Sequence, residues 1–178
     1  MTDRELLELI NAAKKDFGRK CSKYAGAVCA ELIKHSLSCH GITVSARDVF
    51  IDGVPIEVDL LIARNGVVPK HGLLYLPEDV RVVLEIKNSG VFEQGAISKI
   101  KHNFDAVRER NSAIACVYVT VGELKGYRYA VTTETLGYPA YTLFWQNSSQ
   151  HNRKYEVTGQ WDGLITELRR LAGCPQAA

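Results

Sequence analysis

Length, composition and charge narrow the class of protein. The 178 residues are 46% hydrophobic and 24% charged, which suits one globular domain over 1–178 that buries about two-thirds of its unfolded surface. A formal net charge of +2 does not imply a wholesale polyanion-binding surface and leaves room for a local basic groove. No apolar run reaches the roughly 18 residues of a membrane span. The acidic start "MTDRELLEL" is unlike a signal peptide, so we expect a cytoplasmic protein with no membrane partner.

Two amphipathic helices are predicted at the start of the chain. Apolar residues recur at helical spacing over 4–16 and again over 27–37, and Gly41 is a natural stop for the second helix. Two β-branched or alternating runs follow at 42–51 and 56–63, divided by the turn signal "DGVP". These runs are predicted to be adjacent strands of a hairpin.

The middle of the chain predicts a β-α-β unit. Residues 64–79 contain two prolines and two glycines, so we expect an irregular connection there. "VRVVLEI" at 80–86 is the most strand-like run in the sequence, and apolar residues between 97 and 107 are then spaced for one helix face. "AIACVYVTV" at 113–121 returns to a buried strand, which implies a right-handed crossover and parallel pairing.

The last third of the chain completes the predicted fold. We expect a helix within 127–137, a strand at 140–146, and a closing helix at about 160–172 that stops at Gly173. The predicted class is α/β, a mixed central β-sheet flanked by helices on both faces. Its core is expected to span about residues 22–146.

Charged side chains lie where two of these strands should be neighbours. Alternation in "IEVDLLI" is expected to put Glu57 and Asp59 on one face of the strand and Val58 on the other. Glu85 and Lys87 likewise share one face of the next long strand. Two neighbouring strands would therefore present acids on the same side of the sheet.

A divalent cation would make this placement of acids favourable. A carboxylate buried alone costs several kcal/mol or becomes protonated. Mg²⁺ prefers one or two carboxylates together with waters and substrate phosphate oxygens. Lys87 would project beside the metal, where an ammonium can polarise a water and neutralise charge on a phosphate. We therefore expect Mg²⁺ as the cofactor, with Mn²⁺ as its substitute.

Asp59, followed 26 residues later by Glu85, Ile86 and Lys87, resembles the signature of the PD-(D/E)XK nuclease superfamily. The resemblance spans about residues 22–121. "VDLLIARNG" and "VRVVLEIKNSG" look most like restriction-endonuclease-like domains of bacteria and phages, some of which act in antiviral defence. The resemblance implies that Asp59 and Glu85 bind the metal together with the backbone carbonyl of Ile86. Lys87 would then assist the nucleophilic water.

Further residues are assigned around this signature. Val58 stands where the family often has proline. Many members add a glutamate from the helix before the sheet, so Glu31 is the candidate third metal ligand, with a solvated helix residue as the alternative. Gln94 resembles a substrate-binding glutamine that some branches place on the following helix. The other expected substrate-binding residues are Asn88, Ser89, Lys99 and Lys101.

Three functions are compatible with the sequence. The first is a Mg²⁺-dependent endonuclease acting on DNA, for which the resemblance implies a homodimer as one option. The second is a module that kept the fold and binds nucleic acid or protein with little cleavage. The third is an effector nuclease that needs a partner protein or a ligand for activation. A structural salt bridge between Glu85 and Lys87 is the plain alternative, but a surface pair contributes too little to explain charges that end a buried strand.

Overall fold

The structure is a computed structural model that describes residues 1–17, 22–89, 94–127, 130–146 and 155–174. Two helices open the chain, and the crossover helix and the closing helix lie where the sequence predicts them. The helices are α1 (Asp3–Phe17), α2 (Ser22–Cys39), α3 (Gln94–Arg110), α4 (Thr133–Leu136) and α5 (Trp161–Ala172).

The strands form one mixed sheet of seven strands in the order β3-β1-β2-β4-β5-β6-β7. Neighbouring strands are antiparallel from β1 through β2 to β4, and parallel from β4 through β5 to β6. The predicted hairpin and the predicted parallel crossover through α3 are both confirmed. The strands are β1 (Ala46–Ile51), β2 (Glu57–Ala63), β3 (Leu74–Tyr75), β4 (Val80–Lys87), β5 (Ala115–Leu124), β6 (Ala140–Gln146) and β7 (Tyr155–Val157).

Helices cover both faces of the sheet, as expected from the sequence. On one face α1, α2 and α5 pack through residues such as Ile10, Ile33 and Leu168 onto alternate residues of β2, β4 and β5. On the other face α3 packs through Phe104 and Val107 onto the intervening residues of the same strands. The central strands are buried on both faces, which explains their nearly continuous apolar sequences.

The structure corrects several predicted boundaries. The strand expected at 42–51 begins only at Ala46. The connection at 64–79 contains the two-residue strand β3 and a 3₁₀ turn, and neither β3 nor the three-residue β7 was predicted, because such short strands carry too little alternation. The helix expected within 127–137 is wrong in length, since Thr132 caps its start and Gly137, in the left-handed conformation, ends it after one turn.

Side-chain hydrogen bonds fix α3 against the hairpin and the connection that follows it. Arg110 at the end of α3 donates through Nε to the Gly53 carbonyl in the β1–β2 turn at 2.8 Å. Asn111 donates to the Pro77 carbonyl at 2.9 Å. The hairpin turn and α3 are therefore held in a fixed relation. In the described part of the chain, no helix is both long enough and apolar enough to cross a membrane.

The closing helix should contribute strongly to stability through Leu168, which is fully buried. We expect Leu168→Ala to lower the free energy of unfolding by about 2–5 kcal/mol, because it leaves a cavity between α5 and the sheet. Leu9→Ala, a matched change at a helical leucine that is 41% exposed, should cost less than about 1 kcal/mol. Urea unfolding measures both values, and equal losses would contradict the packing of α5.

Candidate active site

The candidate site lies where β2 stops pairing with β4. The antiparallel ladder between them ends at the pair Leu60 and Leu84, while β4 continues to Lys87 with only β5 as its backbone partner. The Asp59 carboxylate occupies the side left open: its Oδ2 accepts a hydrogen bond from the Ile86 N–H at 2.6 Å. A side chain of β2 thus replaces the missing backbone partner of β4.

Glu85 and Lys87 lie beside this carboxylate, on the face of β4 that α3 covers. The Lys87 ammonium is ion-paired with Oε1 of Glu85. The Glu85 side chain is only 16% exposed and that of Lys87 is 39% exposed, so the pair lies partly buried in a cleft. Such a pair has less solvent screening than the surface salt bridge considered as the plain alternative.

A cleft of about 470 Å³ brings these predicted residues together. One wall is the end of the β1–β2 turn with the start of β2, and the opposite wall is one face of α3. The lining residues are Pro55, Ile56, Glu57, Asp59, Glu85, Lys87, Ala96, Lys99, Ile100 and Asn103.

The carboxylates of the cleft are held in an environment that disfavours their charge. Burial raises the pKa of Asp59, against the opposing effects of the Ile86 N–H and the Lys87 ammonium, and nearby Asp48 raises it further. Burial also raises the pKa of Glu85, and the Asp59 carboxylate adds to that rise. Two carboxyl groups that repel each other in a partly buried cleft are a favourable setting for a cation.

The same surroundings favour the charged form of Lys87. Burial alone lowers the pKa of its ammonium, but attraction to Glu85 and Asp59 outweighs burial, and the pKa lies above the ordinary value of 10.5. Lys87 therefore stays protonated at neutral pH. It can donate hydrogen bonds and offset negative charge, but in this state it cannot accept a proton.

The donor atoms of the cleft fit a small divalent cation. Asp59 and Glu85 supply carboxylate oxygens, and Mg²⁺ commonly takes only one or two of these from a protein. The N–H and C=O of a strand residue point to the same side, so the Ile86 carbonyl lies on the side where its N–H meets Asp59. Within the described ranges, no group of three or more His, Cys, Asp or Glu side chains is arranged to hold a metal. Any cation here would need water or substrate oxygens to complete its shell.

The structure places Glu31, the candidate third ligand, outside the cleft. Its carboxylate is 56% exposed on α2 and lies 3.6 Å from both the Lys34 ammonium and the Arg47 guanidinium. Arg47 also donates to the Ala27 carbonyl of α2 at 2.9 Å. Glu31 thus contacts the hairpin through Arg47 and does not line the cleft.

The expected substrate-binding residues are placed differently from one another. Lys99 lines the cleft, whereas the Lys101 ammonium lies 3.3 Å from Asp105. Asn88 accepts a hydrogen bond from the Cys29 thiol at 3.3 Å, and neither Asn88 nor Ser89 lines the cleft. The side chain of Gln94 lies outside the described residues.

Sequence reasoning missed Asn103. It lies one helical turn after Lys99, and with Ala96 these residues form the stripe of α3 that faces the cleft. The signal was present as the spacing of three and four residues on the helix. It was not used because the apolar stripe at Ile100 and Phe104 explained the helix by itself.

The expected alternation along β2 is wrong at Asp59. Val58 packs with the α3 face of the sheet, and so does Leu61, while Leu60 packs with the α2 face. The strand therefore changes its facing at Asp59, whose neighbours in sequence lie on opposite faces. Strict alternation cannot be assumed where a strand carries an irregularity.

A second cavity, of about 620 Å³, lies at the opposite end of β2. Its walls come from the chain before β1, the end of β2 with the loop that follows, and the end of α5. Thr43, Arg64 and Tyr75 are among the polar residues that line it. Because Asp59 and Ala63 are four residues apart on one strand, roughly 13 Å separates the two sites along β2.

Comparison with known proteins identifies the fold. No protein-family model and no curated protein matches the chain. NucC of P. aeruginosa ATCC27853 in its cAAA-bound form matches with a TM-score of 0.61 at 11% identity, over 95% of this chain and 88% of that one. The chain has the restriction-endonuclease-like fold. NucC of E. coli MS115-1 matches at 0.58 in the cAAA-bound form, with 12% identity over 96% and 91%, and at 0.55 in the apo form, with 13% identity over 96% and 92%.

The raised pKa of Glu85 predicts how stability depends on pH. The folded state holds the proton of the Glu85 carboxyl more tightly than the unfolded chain does, in which the pKa of this group is near 4.5. Protonated Glu85 therefore stabilises the folded state below about pH 4.5. This stabilisation is lost as the pH rises through the pKa of the folded state. We therefore expect the unfolding free energy of Glu85→Gln to increase relative to that of the wild type when the pH is raised from about 4 to about 7.

Urea unfolding at both pH values measures this difference. Glu109→Gln, the same change at a glutamate exposed on α3, is the matched control. A Glu85→Gln variant that loses stability relative to the wild type as pH rises would contradict the environment assigned to Glu85.

Proposed function

We propose that this protein is a metal-dependent endonuclease that hydrolyses phosphodiester bonds in DNA. The observation that carries the proposal is the convergence of Asp59 and Glu85 at the open end of β4, with Lys87 paired to Glu85. These are the residues that the PD-(D/E)XK resemblance assigns to metal binding and to water activation. The restriction-endonuclease-like fold supports this assignment.

Asp59, Glu85 and the Ile86 carbonyl are the groups that would hold Mg²⁺ or Mn²⁺. A divalent cation held there supplies positive charge to the scissile phosphate and lowers the pKa of a water. Lys87, protonated and held by Glu85, orients the attacking water and offsets charge that develops on the phosphate. Lys99 on the α3 wall contributes a contact to the phosphate backbone.

Removal of the site residues should abolish cleavage. We expect purified protein to cut plasmid or linear DNA with Mg²⁺ and not with EDTA. Asp59→Ala, Glu85→Ala and Lys87→Ala should each lower the rate by at least roughly 100-fold. The first two remove carboxylates that would hold the cation, and the third removes positive charge that stabilises the transition state. Gel analysis of the products measures this, and Glu109→Gln should cut at the wild-type rate.

The outcomes separate the proposed functions. Equal cutting by the three alanine variants and the wild type would discard this site. DNA binding that persists in all three variants, without cleavage by the wild type, would favour a binding module instead. Metal binding by the wild type without cleavage would favour an effector that needs activation.

We infer further that a small ligand raises the activity, as in an antiviral effector nuclease. Two of the matching NucC structures are cAAA-bound forms, and this chain has a polar cavity at the end of β2 away from the cleft. Arg64 lines that cavity, and a guanidinium there suits an anionic ligand. The ligand class we propose is a cyclic oligonucleotide.

Ligand control predicts that cAAA activates cleavage by the wild-type protein. Arg64→Ala should raise the half-activating concentration about 10- to 100-fold, because it removes a charged contact. Thr43→Trp should prevent activation by filling the cavity, while Mn²⁺ affinity at the distant cleft stays unchanged. Arg4→Ala, the loss of an exposed arginine on α1, is the matched control. Equal activation of all variants would exclude this cavity as the ligand site.

A further inference from the structure

Asp48 adopts a backbone conformation that side-chain-bearing residues rarely take. Its φ is 54°, in the left-handed region, although it lies in the middle of β1 and is not glycine. Only Gly, Asn and Asp visit this region with any ease, and a β-branched residue does so at a high energetic cost. Something in the surrounding structure must therefore hold Asp48 in this conformation.

Asp48 lies directly opposite Asp59 in the hairpin. The pairs Arg47 with Leu60 and Val49 with Val58 bracket this position, and the register is the same on both sides of it. The change at Asp48 therefore does not arise from a slipped register. It affects the direction of the side chains.

In both strands, the side chains change the face of the sheet on which they pack at the pair formed by Asp48 and Asp59. Before the pair, Ala46 packs with the α3 face, and the paired residue Leu61 does the same. Regular alternation would then place Val49 and Val58 on the α2 face. Both instead pack with the α3 face.

This change of facing sets the direction of the Asp59 side chain. The residue before it packs toward α3 and the residue after it toward α2, so its side chain leaves the strand toward β4 and reaches the Ile86 N–H. β-Bulges, another interruption of regular strand geometry, also re-aim side chains next to active sites. Had β2 stayed regular, Asp59 would point out of the plane of the sheet, away from the backbone of β4.

A specific contact holds Asp48. Its Oδ2 lies 3.0 Å from Nε of Arg47, and that guanidinium also contacts Ala27 and Glu31 on α2. The left-handed residue is thus tied to α2 through its neighbour in sequence. This assigns Glu31 to a supporting contact.

We propose that Asp48 is a positioning residue, whose left-handed backbone aims the Asp59 carboxylate at the end of β4. The part of this inference that concerns metal affinity rests on the proposed function. The part that concerns the Asp59–Ile86 hydrogen bond does not, because that bond joins two groups of the chain itself.

The test separates backbone conformation from charge. Asp48→Asn and Asp48→Gly remove the carboxylate but retain easy access to the left-handed region, whereas Asp48→Val and the milder Asp48→Ala do not. Asp52→Val makes the same chemical change in the same hairpin, at a residue outside the left-handed region, and is the matched control. Circular dichroism and urea unfolding establish that each variant is folded. If Asp48→Val does not fold, Asp48→Ala decides the question.

Two readouts are measured for each folded variant. Without metal, NMR follows the chemical shift and the hydrogen exchange of the Ile86 amide. We expect Asp48→Asn, Asp48→Gly and the control Asp52→Val to keep the wild-type values. The Ile86 amide of Asp48→Val should exchange at least roughly tenfold faster, with a smaller change in Asp48→Ala. We expect Asp48→Val to bind Mn²⁺ about 10- to 100-fold more weakly than the wild type, whereas Asp48→Asn and Asp48→Gly should keep the wild-type affinity.

Each outcome has one meaning. A Val or Ala variant with a wild-type Ile86 amide would overturn the proposal. Weakened Mn²⁺ binding in Asp48→Asn and Asp48→Gly as well as in Asp48→Val would also overturn it, because the metal site would then need the Asp48 carboxylate and not the left-handed backbone. Wild-type protein that binds no Mn²⁺ would defeat the proposed metal site, while the Ile86 amide would still decide the role of Asp48.

Discussion

The hydrogen bond from the Ile86 N–H to the Asp59 carboxylate is the interaction on which the candidate site depends. It joins β2 to β4 at the point where their backbone ladder has ended, and so leaves a cleft without leaving a buried N–H unpaired. Burial raises the pKa of Glu85, and the same bond fixes one carboxylate close enough to Glu85 to add to that rise. The geometry of the cleft and part of its electrostatics therefore depend on this bond.

Much of the fold followed from the sequence, because long elements carry strong periodic signals. The continuous apolar run before Glu85 and the helical stripe from Ile97 to Val107 identified the parallel unit that α3 connects. The short strands β3 and β7 gave no such signal. Thr132 caps the start of α4 and the left-handed Gly137 ends it, so the length of α4 depends on these two residues more than on the average propensity of the segment.

The candidate site was predictable in its chemistry and less so in its geometry. The spacing of Asp59, Glu85 and Lys87 named three residues that the structure brings into one cleft. Strict alternation gave the wrong facing for Val58, because it takes no account of a left-handed residue on the partner strand. Glu31 contacts Arg47 of β1, a pairing that only the three-dimensional packing determines, whereas the pair of Lys101 and Asp105 joins two residues one turn apart on α3.

The two outer strands have a consequence for association between molecules. The described strands at the borders of the sheet, β3 and β7, have only two and three residues, so each offers few free backbone groups to another chain. Growth of the sheet from one molecule into the next, the route by which many β-proteins aggregate, has little template at β3 and β7 themselves. Side chains on helices and loops offer another surface for contacts between copies, and their identity can change without disturbing the sheet that carries the cleft.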